Sequence, residues 1–268
     1  MEIGIIGHGV VGSALHAGFE KLNLAQHLTI FDPLTHPGSV SFKNAPFVFI
    51  CVPTPMYDAD GSQNISAVVN VLNTLSDEKY EGIVVLKSTI TPTNVSALLG
   101  RYDDLHIIAN PEFLTERSAV EDFEKQPFIV IGGDEGCALR LAALYRKHWI
   151  NSDIRWLPSA AAAMMVKYML NCFYATKVTF LNECFTLWQE IGDADWEHVV
   201  AGFRADDRVS SSHTHVPGPD GKLGFGGKCF PKDLNALISI ADDAGVPHHV
   251  LEGVRRTNKA VRRQEPGR

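Results

Sequence analysis

The stretch Ile3-Gly4-Ile5-Ile6-Gly7-His8-Gly9-Val10-Val11-Gly12 runs from a short apolar segment through three spaced glycines into a helical pattern over 12–22. A strand, a glycine-rich turn and a helix start in that order are what a dinucleotide fingerprint demands. Gly7 permits the tight turn, and Gly9 lets the backbone around Val10 and Val11 approach a pyrophosphate. Gly12 lets helix and strand pack closely, and the helix start offers unpaired N–H groups to the phosphates. Asp32 closes the next apolar segment, 20 residues after Gly12. A carboxylate there can accept both ribose hydroxyls and repels a 2′-phosphate, which favours NAD over NADP. A turn-forming Asp before Pro33 is the plainer reading, but it leaves the strand–turn–helix–strand context unexplained.

Outward from this unit the pattern repeats. Apolar runs at 3–6, 28–31, 47–52, 83–86, 106–109 and 128–131 read as strands, with helical patterns at 12–22, 65–75 and 136–147. Apolar strands without strict alternation, separated by helices, imply a parallel sheet covered on both faces. The expectation is a Rossmann-type doubly wound α/β domain over 1–157, followed by a mainly α-helical domain over 158–268. From Ser159, a plausible N-cap, to Ile191 there is no Gly or Pro. Met165, Tyr168, Met169, Cys172, Thr176, Phe180, Cys184, Leu187 and Ile191 read as one apolar face of a single helix, about 45 Å long. Such a helix suggests a spine joining domains or subunits, and a homodimer through 159–191. A loop rich in Ser, Gly and Pro follows over 210–227, then helices over 233–244 and 249–263. Arg255, Arg256, Lys259, Arg262 and Arg263 read as a solvated helix face.

The 268 residues carry a net charge of −7, with 45% hydrophobic and 21% charged residues. This is globular composition, and its acidic balance argues against general affinity for nucleic acid or anionic membrane. No apolar run reaches the roughly 20 residues of a membrane span, and the N-terminus lacks a cationic lead-in or cleavage site. A soluble cytoplasmic protein is expected. Five cysteines at long spacings, with no C-x-x-C pair, indicate neither a disulfide framework nor zinc. Asp58-Ala59-Asp60-Gly61 lacks the other ligands of a calcium loop and reads as a turn. His213 and His215 sit in the Gly/Pro-rich loop without a metal-like partner set, and no metal is expected.

Gly224-Phe225-Gly226-Gly227-Lys228-Cys229-Phe230-Pro231-Lys232-Asp233 sets a cysteine at the end of a glycine-rich loop, just before a helix. Helix N–H groups and the neighbouring lysines favour its thiolate, so Cys229 is the candidate nucleophile. Most cysteines are small buried apolar residues, but a core position rarely falls between Gly-Gly-Lys and a Pro-Lys-Asp helix start. Lys167 interrupts an apolar helix face, and Asn171 lies four residues on, on the same side.

Taken with Cys51-Val52-Pro53-Thr54-Pro55, Lys87-Ser88-Thr89 and Asn110-Pro111-Glu112-Phe113-Leu114-Thr115-Glu116, these motifs closely resemble the UDP-glucose/GDP-mannose dehydrogenase family, in the family's order from end to end. The resemblance implies oxidation of a sugar-nucleotide primary alcohol to a carboxylate with two NAD, as in UDP-glucuronate formation for polysaccharide synthesis. It implies that Lys167 and Asn171 stabilise charge on the C6 oxygen, that Cys229 holds the intermediate covalently, and that Asp233 positions or activates water. It further implies that Thr89 holds water or cofactor, that Glu116 acts as base, and that Glu112 lies near the nicotinamide or the water network. By spacing alone, Glu112 and Glu116 could equally be a pair at a helix start. Val52, Pro53 and Thr54 join the cofactor set. Phe113, Leu114, Glu116, Lys167, Asn171, Phe225, Gly226 and Gly227 form the implied substrate set. Family members continue for roughly another 100 residues, a domain that holds much of the nucleotide and that has no counterpart here. Where the family often places a substrate-contacting arginine, this chain has His213, His215 and Lys222, with Arg208 further back. Two other readings stand beside the four-electron oxidation. One is a two-electron 3-hydroxyacid dehydrogenase using Lys167 and Asn171 without a cysteine. The other is a non-catalytic NAD-binding dimer.

Overall fold

A computed structural model describes residues 1–38, 40–57, 62–192 and 194–263, and the backbone but not the side chain of Glu116. The expected turn at 58–61 lies outside the described residues. The chain divides into two compact units, Met1–Lys167 and Tyr168–Arg268. This division falls ten residues later than the change of sequence character at Pro158. Ala160, Ala163 and Met164, in the first turns of the long helix, belong to the core of the first unit.

The first unit is a seven-stranded sheet of β1 (Glu2–Ile6), β2 (His27–Phe31), β3 (Phe47–Ile50), β4 (Ile83–Leu86), β5 (His106–Ala109), β6 (Phe128–Gly132) and β7 (Asp153–Leu157). The spatial order is β2-β1-β3-β4-β5-β6-β7. The helices α1 (Val10–Lys21), α2 (Ser66–Asp77), α3 (Pro92–Arg101), α4 (Ala119–Lys125) and α5 (Glu135–Tyr145) connect successive strands, except that the described residues between β2 and β3 contain no helix. Strands β1 and β3–β6 are buried on both faces, with the period of two that pleating imposes. Ile3, Ile5, Phe47, Phe49, Ile83 and Val85 point to one core with α1 and α5. Ile6, Val48, Ile50, Val84 and Leu86 point to the other with α2 and α3. Burying each such side chain contributes about 1.5–3 kcal/mol.

The expectation of an all-parallel sheet needs one correction: β6 meets β5 antiparallel, through Ala109↔Gly132, and β7 then runs parallel to β6. β7 itself carries Asp153, Arg155 and exposed Trp156 on an edge strand, so it lacks the apolar run that marks the others. The chain passes from β1 to β2 on one side, then returns to β3 on the other. This strand-order reversal opens the crevice at the carboxyl ends of β1 and β3, where α/β sheets bind ligands.

The second unit contains the rest of α6 (Ala160–Ile191), then α7 (Trp196–Arg204), α8 (Cys229–Asp243) and α9 (His249–Val261). Ser159 caps α6 by accepting from Ala162 N at 3.3 Å. Its apolar residues do not form one buried face. Tyr168, Cys172 and Ala175 are buried, whereas Met169, Phe173, Phe180, Leu187 and Ile191 are 53–69% exposed. These exposed positions recur every four or seven residues, which holds them in a stripe beside the buried one. No helix of the described residues is long and apolar enough to cross a membrane.

Candidate active site

The glycine-rich turn has the shape its sequence demands. Gly7 adopts φ +92°, and a Cβ there would lie 2.8 Å from the Cys51 carbonyl. A Cβ on Gly12 would lie 1.9 Å from the Gly7 oxygen, so only glycine lets α1 sit against β1. Around Gly9 nothing lies within 4 Å, leaving its backbone approachable. Gly9 is also the N-cap of α1 and places no side chain over the first amides. Val10 and Ser13 of that first turn line an open cavity of about 350 Å³ with Arg117 and Ser118. A dinucleotide pyrophosphate fits this cradle of bare amides.

Asp32 stands at the end of β2. Its Oδ2 accepts from His8 N at 2.8 Å, and its Oδ1 accepts from Leu34 N and Thr35 N. The His8 N–H above all, with those of Thr35 and Leu34, holds the carboxyl down to about 2 against some burial. The group is therefore a fixed anion at the carboxyl end of β2. Val52 and Pro53 follow β3 beside Gly7, and Ser88 Oγ donates to Val52 O at 2.7 Å. Thr54 is buried and donates its hydroxyl to Thr89 O at 2.7 Å, so it ties the β3 and β4 loops together. Gln63 Nε2 donates to the same oxygen, fixing the backbone of Thr89.

Glu112 and Lys167 meet as a buried ion pair, Nζ to Oε1 at 2.9 Å. Leu114 N donates to the other Glu112 oxygen at 2.6 Å, and the ammonium lies 5.6 Å from the Phe113 ring centroid. Glu112 is thus engaged by Lys167, a pairing that its sequence neighbourhood does not announce. Phe113 stacks near Phe128, and Leu114 packs into the core with α1 and α5. Lys87 is 2% exposed and donates to Asn110 Oδ1, which also accepts from Tyr145. Burial pulls the Lys87 ammonium down to about 8. The side chain of Glu116 lies outside the described residues.

In the second unit, Cys229 is exposed at the first position of α8, whose N-cap, Lys228, places no side chain over the helix amides. Amide dipoles at such a terminus favour a thiolate. Cys51 and Cys172 are buried, and burial pushes both thiols up to about 12. Asp233, one turn beyond Cys229 and 1% exposed, accepts from Asn171 Nδ2 at Oδ2 and from Lys232 Nζ at Oδ1, both at 2.5 Å. Asn171 and Asp233, far apart in the sequence, are thus brought into direct contact.

Other groups that hold the cysteine loop escaped sequence reading. Gly224 N donates to Asn182 Oδ1, and Phe225 exchanges two backbone hydrogen bonds with the Asn258 amide. Gly226 lies under Arg262, whose guanidinium also donates to Asp220 and Leu223 O. Arg262 is thus part of the loop support and not of a solvated face. Gly227, at φ +76°, has open space around it. His213 stacks on Tyr174 at 4.3 Å, His215 lies 3.4 Å from Arg204, and Arg208 pairs with Asp206. A lone asparagine carries no local pattern by which such clamps could be found.

Residues 33–149 match the NAD binding domain of the UDP-glucose/GDP-mannose dehydrogenase family, and residues 161–260 match its central domain. The UDP-glucose 6-dehydrogenase YwqF of Bacillus subtilis is 31% identical over 305 aligned positions, covering 96% of this chain and 66% of that protein. A UDP-glucose 6-dehydrogenase of Rhizobium meliloti is 34% identical, covering 76% of this chain and 48% of the relative. The UDP-glucose dehydrogenase from the archaeon Pyrobaculum islandicum superposes with a TM-score of 0.83 at 28% identity, over 97% of this chain and 68% of that one. The chain spans about half to two thirds of the length of these relatives. With the fingerprint crevice, the Lys167–Glu112 pair and the Cys229 loop in place, these matches make the chain a member of the UDP-glucose/GDP-mannose dehydrogenase family, with NAD as its cofactor.

Proposed function

We propose that the chain oxidises the C6 hydroxyl of a sugar nucleotide, UDP-glucose by default, to the carboxylate with two NAD. Cys229 carries this reading: it is an exposed thiol at a helix start, behind a glycine loop held by Asn182 and Asn258, with buried Asp233 one turn on. Bound NAD supplies the hydride acceptor, and the residues do the rest. Lys167 and Asn171 stabilise charge developing on the C6 oxygen, and Glu112 keeps the Lys167 ammonium aimed. After the first two electrons leave, the Cys229 thiolate adds to the aldehyde carbon, forming a C–S bond and a thiohemiacetal. Loss of the second hydride leaves a thioester. Water positioned by Asp233 and Thr89 adds to it, the C–S bond breaks, and the thiol is restored. Glu116 serves as base, and one water oxygen enters per sugar. Val10, Val11 and the loop 52–54 flank the cofactor, while Phe113, Leu114 and 225–227 flank the sugar nucleotide.

The same reading includes a homodimer in which a second copy covers the exposed stripe of α6. A groove of about 260 Å³, lined by Phe180, Leu187, Trp188, Ile191, Trp196 and Phe203, continues that stripe. A cytoplasmic setting belongs to it too, since a reducing compartment preserves an exposed thiol nucleophile. A two-electron dehydrogenase would leave Cys229 without a task. Purified protein is mixed with NAD⁺ and UDP-glucose, and NADH is counted per sugar consumed. The expected ratio is two. A ratio of one would establish the two-electron reaction instead, and no NADH with NAD bound would overturn UDP-glucose as substrate.

A further inference from the structure

Three histidines crowd the ribose end of the cofactor crevice. His8 is the residue between the first two glycines of the fingerprint, His16 lies on α1, and His36 follows β2. His8 Nε2 lies 3.0 Å from His16 Nδ1. The His8 and His36 rings meet edge-on with centroids 4.5 Å apart, and those of His16 and His36 are 6.4 Å apart. Two of the three are bonded through their main chains to Asp32. His8 N donates to its carboxylate, and His36 exchanges backbone hydrogen bonds of 2.9 and 3.2 Å with it. The titratable groups facing the cluster are Asp32 beyond β2 and Glu20 on α1, which lies 3.3 Å from His16 Nε2.

We propose that His8, His16 and His36 form a proton-operated selector for the adenine ribose of the cofactor. While neutral, they leave Asp32 to exclude a 2′-phosphate. When protonated, they supply the cation that a 2′-phosphate needs. The inference rests on reading Asp32 as the ribose carboxylate. One N–H suffices for the His8–His16 bond, so a single added proton leaves that bond intact. Burial first, then His36 and His16, lowers the His8 pKa, while Asp32 raises it. His8 is thus held toward its neutral form. A 2′-phosphate, with a second pKa of about 6, pulls the proton in further.

The test measures Kd for NAD⁺ and for NADP⁺ by calorimetry on the full chain, at about pH 8.5 and about pH 5.5, with the two pH values straddling the histidine range. The ratio Kd(NADP⁺)/Kd(NAD⁺) is expected to fall about tenfold more in the wild type than in the His8→Gln/His36→Gln variant, the worth of about one charge-assisted contact. The variant retains the fall due to the phosphate's own titration, so the difference isolates the histidines, and its NAD⁺ binding reports that it is folded. Equal pH dependence in the two proteins would overturn the proposal. Asp32→Asn is measured alongside: it should lower the ratio at both pH values. If it does not, the ribose reading has failed, whatever the histidines do.

Discussion

The two units treat apolar surface in opposite ways. In the first, strands β1, β3 and β4 are covered on both faces, and among the described residues the two cores contain 22 and 20 buried residues. In the second, the cores contain 7 and 6, while Met169, Phe173, Phe180, Leu187 and Ile191 remain more than half exposed. A sheet wound on both sides is self-sufficient, whereas a long helix flanked by short ones leaves a side to be covered by something else. The units also differ in what they offer a ligand: bare amides and a fixed carboxylate in the first, an exposed thiol and a buried acid in the second.

The sharpest way to break this division of labour is Cys229→Ser. If binding of NAD belongs to the first unit and acyl chemistry to the second, uronate formation falls at least about a thousandfold while NAD affinity holds. Stopped assays for sugar acid, beside a binding titration, check both halves. Loss of NAD binding, or retained acid production, would contradict the assignment.

Next in size is the contrast between a closed core and an open stripe. Phe49→Ala removes a ring with no exposure at all and should cost about 3–5 kcal/mol in urea unfolding. Phe180→Asp, on a side chain 53% exposed, should leave the isolated chain within about 0.5 kcal/mol. Its effect appears in light scattering, as a shift from dimer to monomer. A monomeric wild type, or an unchanged mass for Phe180→Asp, would refute the second-copy reading of the stripe.

The smallest effect sharpens the picture of the first unit as a core that encloses a buried ammonium with no carboxylate bonded to it among the described residues. Lys87 titrates at about 8 in the fold against 10.5 when unfolded. Between those values the unfolded chain binds more protons, so Lys87 makes stability rise with pH. Cys51, pushed up from 9.0 to about 12, works in the opposite sense above its unfolded value. Lys87→Met should therefore remove about 1 kcal/mol of rise between about pH 8 and about pH 9 relative to the wild type. Denaturation midpoints at the two pH values read the difference, and parallel slopes would show that the ammonium is not buried as charge.

Much of the first unit was legible because its strands are apolar runs punctuated by Gly, Pro and Asp, and because Gly7 and Gly12 mark a turn where a side chain would collide with the backbone. β7 was not, since an edge strand with Asp153 and Arg155 lacks that pattern. The helix Pro92–Arg101 had its signals in place: Thr91 caps it and Pro92 occupies its first turn, but its mixed composition hid the periodicity. In the long helix, the buried and exposed apolar stripes are angular neighbours, so sequence spacing merged them into one face. At the candidate site, Cys229, Asp233 and Asn171 stood out through their motifs. The Lys167–Glu112 pair and the Asn182, Asn258 and Arg262 supports depend on residues far apart in the chain, which no local window joins.

Those supports have a consequence for the order of events during synthesis. The loop that carries Cys229 is secured by Asn182, already made when the loop emerges, and by Asn258 and Arg262, which leave the ribosome after it. A nascent chain halted between Cys229 and Asn258 holds the complete glycine fingerprint and the thiol, yet the loop has only one of its fastenings. Cys229 is thus fixed in place only once the turns of α9 that follow it have been made, long after the sheet that serves the cofactor can form.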